Sequence, residues 1–419
     1  MPEEAGPRVR ELFARRDAPV LDLAAQAGEV ALACHAMAVR FHRGGKLVVF
    51  GNGGQSTDAQ HVAVEFVHPA IVGKRALPAV SLSADMATLT GVAGRAGLDE
   101  VFAHQIRILG EPADIALGIS ADGECGNVLR GLTAADRLGM LTVALTGGDG
   151  GRIARAPQAH HVLTARSADP RVVKEVHVTT YHVLWELVHV FLDQPELIMN
   201  ARPHDASELA SLYPFLYTRA GDLDAVLAGV RQSTVDKTGE IAALRAQVLE
   251  ADGARIEECA RRMADAFSGG GRLFAFGNGG SSTDAQDLAG LFLEPGGDAR
   301  PLPAFGLTND IAVVTALSND IGFDVVFARQ IGAFGRAGDI AVGLSTSGNS
   351  ENLLRGFDEA ARRGMLTIGI AGYDGGKMAE LGSIDYLFVV PSPSVHRIQE
   401  AQTTIYHALW ELTVDGVGR

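Results

Sequence analysis

The stretch LVVFGNGGQSTDAQHVAVEFVHP, from Leu47 to Pro69, decides the fold because the chain contains it twice. A second copy, LFAFGNGGSSTDAQDLAGLFLEP, runs from Leu273 to Pro295. Each copy joins a short apolar run to a Gly-Asn-Gly-Gly turn and then to a helical pattern, as a strand leading into a helix would. The copies are 226 residues apart. A repeat this long indicates a duplicated domain rather than a solenoid unit of roughly 20–50 residues.

Further short apolar runs recur in both halves, each followed by a small or polar residue and a helical pattern. Strands that alternate with helices predict an α/β fold, with a parallel sheet covered on both faces. We predict a first domain over 1–200, a connector over 201–235 and a second domain over 236–419. The aromatic residues Tyr213, Phe215 and Tyr217 favour a packed connector. The first dozen residues resemble a polar leader.

Bulk composition narrows the class of protein. The chain has 419 residues, which favours two domains, and its net charge of −14 argues against binding the phosphate backbone of nucleic acid. No apolar run reaches the roughly 18 residues of a membrane span, and we expect no signal peptide. The three cysteines, Cys34, Cys125 and Cys259, are widely spaced. They argue against a disulfide framework and favour a cytoplasmic location.

A loop rich in hydroxyl groups, STSGNS, lies between an apolar run and a helical pattern in the second half. Its short side chains would let backbone N–H and O–H groups converge on a phosphate at a helix N-terminus. An ordinary helix cap is the simpler alternative, but four hydroxyl groups exceed what capping needs. The predicted phosphate donors are Ser345, Thr346, Ser347 and Ser350, with Ser281 adding one more.

The equivalent loop of the first half reads SADGEC, from Ser120 to Cys125. Its Asp122 and Glu124 would repel a phosphate dianion. Gln55 also replaces the serine that follows the glycine turn in the second half. We therefore predict that the first half has no working phosphate pocket.

A pair of ionisable residues, in contrast to the phosphate loop, is present in the first half and absent from the second. His61 and Glu65 are one helical turn apart, so a helix places them on one face, where they could share a divalent metal. An unrelated surface pair is the alternative. The second half has Asp287 and Leu291 at these positions.

A second pair is complete only in the second half. Gln399 and His407 stand there, whereas the first half has Lys174 and His182. Lysine would oppose a metal, and a lone histidine on an apolar helix is more often a packed core residue.

These motifs together resemble the sugar isomerase (SIS) domain and, within it, the phosphoheptose isomerases, which convert sedoheptulose 7-phosphate to a heptose 7-phosphate. The resemblance covers nearly all of both halves except the join. It implies two tandem SIS domains, each a five-stranded parallel sheet flanked by helices in a flavodoxin-like three-layer sandwich. It rests on GNGG with DAQH and Glu65, on the STSGNS loop, on DGGKMA from Asp374, and on RIQE from Arg397 with His407.

The resemblance also implies a catalytic arrangement. Members of this family build their active sites between subunits, and here the two halves keep complementary parts. We therefore predict one composite site, in which Zn²⁺ is held by His61, Glu65, Gln399 and His407. Glu65 and His407 are the acid/base candidates for an enediol(ate) mechanism, and which is the base stays open. The reciprocal site would be vestigial.

The predicted substrate contacts lie in the second half. Asn278, Gly279 and Gly280, with Asn309 and Asp310, would hold the sugar hydroxyls and the phosphate end. The predicted reaction converts D-sedoheptulose 7-phosphate to D-glycero-D-manno-heptose 7-phosphate.

Two alternatives to this reaction stay open. One is a non-catalytic sugar-phosphate sensor or scaffold, and the other is an isomerase of another sugar phosphate. We further expect a homodimer that forms a pseudo-tetramer of SIS domains, packed through helices Val20–Phe41 and Ile241–Phe267.

Overall fold

The computed structural model describes residues 4–69, 71, 73–194, 198 and 220–418. The chain divides into two compact units, which we call the first unit (Ala18–Gly239) and the second unit (Met1–Asp17 with Glu240–Arg419). The aromatic residues of the predicted connector lie outside the described residues, and the predicted domain limits stay a prediction. None of the described helices has the length and apolar content that a membrane crossing requires.

The secondary structure follows the duplicated sequence. The described helices are α1 (Pro7–Ala14), α2 (Asp17–Ala25), α3 (Ala27–His42), α4 (Gly54–Val67), α5 (Met86–Ala96), α6 (Val101–Leu109), α7 (Gly126–Arg137), α8 (Gly151–Ala154), α9 (Pro170–Leu192), α10 (Ala220–Ser268), α11 (Gly280–Leu293), α12 (Ile311–Asp320), α13 (Val326–Phe334), α14 (Glu351–Arg362), α15 (Gly376–Glu380) and α16 (Val395–Val417). The described strands are β1 (Leu47–Gly51), β2 (Ala79–Ser81), β3 (Ile115–Ile119), β4 (Leu141–Gly147), β5 (His161–Ala165), β6 (Leu273–Gly277), β7 (Ala304–Gly306), β8 (Ile340–Ser345), β9 (Leu366–Gly372) and β10 (Tyr386–Val390).

Each unit contains one five-stranded parallel sheet. The order is β2-β1-β3-β4-β5 in the first unit and, read in the same direction, β7-β6-β8-β9-β10 in the second. The central strands are buried along their whole length, because helices cover both faces and every side chain must be apolar or small. The predicted tandem α/β fold is confirmed. The order in which strands are added reverses between β1 and β3, since β2 lies on one side of β1 and β3 lies on the other. Ligands of such sheets bind beyond the carboxyl ends of the strands at this point.

The N-terminal segment is not the expected polar leader. Residues 7–14 form α1, which buries Val9, Leu12 and Phe13 within the second unit. Arg16 is also fully buried and donates to Glu411 at 3.1 Å. The expectation was wrong because it rested on the many charged residues. It overlooked the apolar residues, which recur at helical spacing and lie on one face of the helix.

The two helices that carry the predicted metal ligands are joined by the same kind of hydrogen bond in both units. In the first unit α9 packs against α4, and Trp185 Nε1 donates to the backbone oxygen of Glu65 at 2.8 Å. In the second unit α16 packs against α11, and Trp410 Nε1 donates to the backbone oxygen of Leu291 at 2.9 Å. This tryptophan hydrogen bond, present in both units, fixes which faces of the two helices are in contact.

Candidate metal and phosphate sites

A buried cluster of two histidines and one carboxylate lies between α4 and α9. His61 and Glu65 on α4 are 1% and 5% exposed, and His182 on α9 is fully buried. One ligand atom from each of the three lies within 4.8 Å of the others. Two imidazoles and a carboxylate are ligands that zinc commonly takes, so these residues fit a divalent metal. Sequence reasoning treated His182 as a packed core residue and did not place it here.

The orientation of His61 is set by its neighbour on α9. The hydroxyl of Tyr181 lies 3.1 Å from His61 Nδ1. The other ring nitrogen, Nε2, lies 3.6 Å from Glu65 Oε1. A hydrogen bond at one ring nitrogen selects the tautomer and directs the other nitrogen, as is usual for histidines that bind metals. Helix α9 thus supplies one cluster residue, His182, and orients another.

Lys174 does not carry an isolated positive charge. It is 4% exposed, and its ammonium donates to Asp58 Oδ1 at 2.6 Å, to the backbone oxygen of Gly54 at 2.9 Å and to Thr57 Oγ1 at 3.0 Å. All three partners lie in the first turns of α4. Lys174 therefore fastens α9 to the start of the helix that carries His61 and Glu65.

The equivalent place in the second unit holds fewer ionisable groups. Asp287 accepts a hydrogen bond from Tyr406 at 3.0 Å, and its Oδ2 lies 3.6 Å from His407 Nε2. Leu291 contributes no ligand atom from its side chain. In the described part of the chain, the cluster of the first unit is the group of three with metal-ligand spacing.

The serine loop of the second unit follows β8 and ends at the start of α14. Within it, Ser345 Oγ accepts from Gly348 N at 3.0 Å, and Ser347 Oγ accepts from Asn349 N at 3.2 Å. Ser350 is the N-cap residue of α14, but its side chain makes no capping hydrogen bond. Capping therefore does not account for this hydroxyl group, which weakens the simpler explanation of the loop.

In the first unit, the corresponding loop is held by hydrogen bonds to carboxylate groups. Asp122 Oδ1 accepts from Ser120 Oγ at 3.2 Å and from Glu124 N at 2.8 Å. Glu124 in turn accepts from Arg152 Nε at 2.8 Å. The carboxylates of this loop thus accept hydrogen bonds from groups of the same unit. That the loop does not bind phosphate stays a prediction.

Two predicted substrate contacts have structural partners. The side-chain amide of Asn278 exchanges hydrogen bonds with that of Asn352, at 3.0 and 2.9 Å. Asp310 caps α12 by accepting from the backbone N–H groups of Ala312 and Val313. The first unit repeats the asparagine pair, and that repetition was the sequence signal for a structural role. Sugar binding by Asn278, Gly279, Gly280, Asn309 and Asp310 stays a prediction.

Comparisons with known proteins agree with this architecture. The SIS domain family model matches residues 20–147 and 238–372. The phosphoheptose isomerase of Aquifex aeolicus is 42% identical over 182 residues, which are 42% of this chain and 93% of that protein. The phosphoheptose isomerase of Desulfovibrio desulfuricans is 47% identical over 159 residues, which are 38% of this chain and 75% of that protein.

A solved structure shares the fold at low identity. The tagatose-6-phosphate ketose/aldose isomerase of Escherichia coli is 12% identical, with a TM-score of 0.57, over 98% of this chain and 94% of that one. The chain therefore belongs to the SIS domain family, whose domain it carries in two tandem copies related to the phosphoheptose isomerases.

Proposed function

We propose that this chain is an aldose–ketose isomerase acting on a sugar phosphate, and specifically on D-sedoheptulose 7-phosphate. The phosphoheptose isomerase relatives support the enzyme class and the substrate class. The observation that carries the proposal is the buried cluster of His61, Glu65 and His182, whose ligand atoms lie within 4.8 Å of one another. A sensor or scaffold would need no such group.

Glu65 is the acid/base group of the first unit in this proposal. Isomerisation removes a proton from the carbon beside the carbonyl and returns it to the neighbouring carbon, and a positioned carboxylate can do both. The side chain is buried, so competing water is excluded from it. A divalent ion held by His61, Glu65 and His182 would polarise the carbonyl oxygen of the sugar. The donor set fits zinc.

The serine loop of the second unit would hold the phosphate of the substrate. Backbone N–H groups at the start of α14 and the hydroxyl groups of Thr346, Ser347 and Ser350 are suitable donors for a dianion. The corresponding loop of the first unit carries Asp122 and Glu124, which makes it the poorer candidate. This division of groups is why we retain the composite site as part of the proposal.

Two ligand sets follow from this proposal, and variants distinguish them. The set predicted from sequence takes His61 and Glu65 with Gln399 and His407, whereas the first unit groups the same two residues with His182. If His182→Ala lowers bound zinc and His407→Ala does not, the ligands belong to the first unit. The reverse result supports the composite set.

The decisive experiment is turnover of sedoheptulose 7-phosphate before and after chelation and zinc re-addition. Glu65→Gln should lower kcat by about 10²–10⁴-fold, the usual contribution of a general acid/base group. Glu186→Gln is the matched control, since this carboxylate of the same unit pairs with Lys237 instead. Full activity in Glu65→Gln would overturn the assignment. Saturable binding of the sugar phosphate without turnover would favour a sensor.

A further inference from the structure

Tyr373 has a backbone conformation that tyrosine rarely adopts. It directly follows β9, and its φ is +54°. Within the described part of the chain, it is the one residue other than glycine with a positive φ. The left-handed region is unfavourable for residues that carry a Cβ atom, and a bulky side chain there is an outlier. The chain therefore carries local strain at this position, which glycine would relieve.

The first unit has glycine at the equivalent position. Gly148 has a φ of +65°, so the turn takes the left-handed conformation in both units. A Cβ atom added to Gly148 would meet no atom within 4 Å apart from its chain neighbours, so a side chain at this position starts in open space. Tyr373 itself is 40% exposed. The need to fill a core therefore does not explain the tyrosine.

Tyr373 lies beside the serine loop, between two contacts with it. On the N-terminal side of Tyr373, a Cβ atom added to Gly372 would lie 2.5 Å from the backbone oxygen of Thr346. On its C-terminal side, Asn349 Oδ1 accepts from Lys377 N at 3.0 Å. These contacts hold the backbone of the turn against the loop that we propose to bind the phosphate.

The first unit has the same contacts between the corresponding loops. A Cβ atom added to Gly147 would lie 2.0 Å from the backbone oxygen of Ala121, and Glu124 Oε1 accepts from Arg152 N at 3.0 Å. The two turns are therefore built alike, except that glycine stands beside the SADGEC loop and tyrosine beside the serine loop. The strained residue occurs in the unit whose loop is the better phosphate candidate.

We propose that Tyr373 is a substrate-binding residue, whose phenol hydroxyl donates a hydrogen bond to the phosphate held by the serine loop. This inference rests on the proposed function and deepens it by assigning a further phosphate contact. Strained residues persist where the surrounding structure enforces their conformation, and they cluster at ligand sites. A phenol hydroxyl is a good donor, and hydrogen bonds to ionised oxygens are among the stronger ones.

The test measures the affinity of the serine loop for inorganic phosphate in the full chain. Protection of the amides over 345–353 from hydrogen exchange, followed as phosphate is added, gives a local dissociation constant. Tyr373→Phe keeps the ring and removes the hydroxyl, and should weaken phosphate binding by about tenfold. The matched control is Tyr386→Phe, because the hydroxyl of Tyr386 in the same unit donates to Glu258 instead. That control should leave the dissociation constant unchanged.

A second variant separates ligand binding from a structural role. Tyr373→Gly should weaken phosphate binding at least as much as Tyr373→Phe. It should not destabilise the second unit, because relief of the strain offsets the greater freedom of glycine in the unfolded chain. Hydrogen exchange of the β9 amides in dilute denaturant measures this stability. A loss of stability that accompanies the loss of affinity in both variants would show a structural role and overturn the proposal.

Steady-state kinetics with sedoheptulose 7-phosphate give an independent readout. Tyr373→Phe should raise KM by about tenfold and change kcat less than twofold, as expected for a contact made equally in the ground state and the transition state.

The phosphate titration separates this inference from the proposed function. If the chain turns over no sugar phosphate but Tyr373→Phe still weakens phosphate binding, the proposed function fails and the assignment of Tyr373 stands. Equal dissociation constants in the wild type and Tyr373→Phe would overturn the assignment, even in an active isomerase. So would weaker binding in Tyr373→Gly alone, since the ring and not the hydroxyl would then matter. The absence of phosphate protection over 345–353 in the wild type would overturn it as well.

Discussion

Replacing Lys174 by methionine should loosen the helix pair that carries the metal-type cluster. The ammonium of Lys174 makes hydrogen bonds to Asp58, Gly54 and Thr57, all on α4. Both charged side chains are almost fully buried, at 4% and 1% exposure. Methionine fills similar space but leaves the carboxylate of Asp58 buried without its cation.

The size of the effect follows from that burial. Removing one partner of a buried ion pair typically costs about 3–5 kcal/mol, because the remaining charge is not compensated. Adding Asp58→Asn to Lys174→Met removes the isolated charge, so most of the loss should be recovered. A deficit of about 1–2 kcal/mol should remain from the lost hydrogen bonds.

Hydrogen exchange in dilute denaturant is the suitable assay, because a chain with two compact units need not unfold in one step. Amides of α4 report on the first unit and those of α11 on the second, so each variant is compared with the unit that it leaves unchanged. The matched control is Gln399→Met at the equivalent position of α16, where the buried Oε1 accepts no hydrogen bond within the described chain. That change should cost no more than about 1 kcal/mol. Equal losses in Lys174→Met and Gln399→Met would refute the reasoning.

Three shorter predictions follow. Burial lowers the pKa of His177 to about 4, so the unfolded chain takes up the proton first, and the first unit should lose stability as pH falls from about 6.5 to about 4. His177→Gln should flatten that dependence in pH-resolved denaturation. Burial raises the pKa of Cys34 and Cys259, so a thiol reagent should label Cys125 alone, as mass spectrometry would show. Light scattering after size exclusion should give twice the chain mass of 44.0 kDa, and a monomer would contradict the proposed dimer.

The sheet could be predicted because strands that are buried on both faces have a recognisable sequence pattern. Runs such as residues 47–50 are wholly apolar, end at glycine, and recur at a nearly constant offset. The spacing of His61 and Glu65 likewise placed both on one helix face, since that depends only on the helical repeat.

The third member of the cluster could not be found in this way. His182 reaches His61 and Glu65 only because α9 packs against α4 with one particular face. The packing of one helix against another depends on contacts such as the hydrogen bond from Trp185. The spacing of residues along the sequence does not predict such contacts. The repeated Tyr-His dipeptide, at Tyr181 in the first half, was the available signal.

The duplicated helix pair shows why chemistry could change without loss of the fold. The tryptophan hydrogen bonds that join these helices are accepted by the backbone oxygens of Glu65 and Leu291. A change of side chain at this position therefore leaves the hydrogen bond in place.

Rebuilding the cluster in the second unit tests this separation directly. In the variant Asp287→His/Leu291→Glu, the new side chains join His407, and the hydroxyl of Tyr406 is already placed to orient the new histidine. Zinc bound per chain should rise by one, measured by elemental analysis after dialysis. Leu291→Glu alone is the control, because two carboxylates and one histidine lack the oriented imidazole. If the double variant folds and binds no additional zinc, the helix pair is not a sufficient scaffold for the cluster.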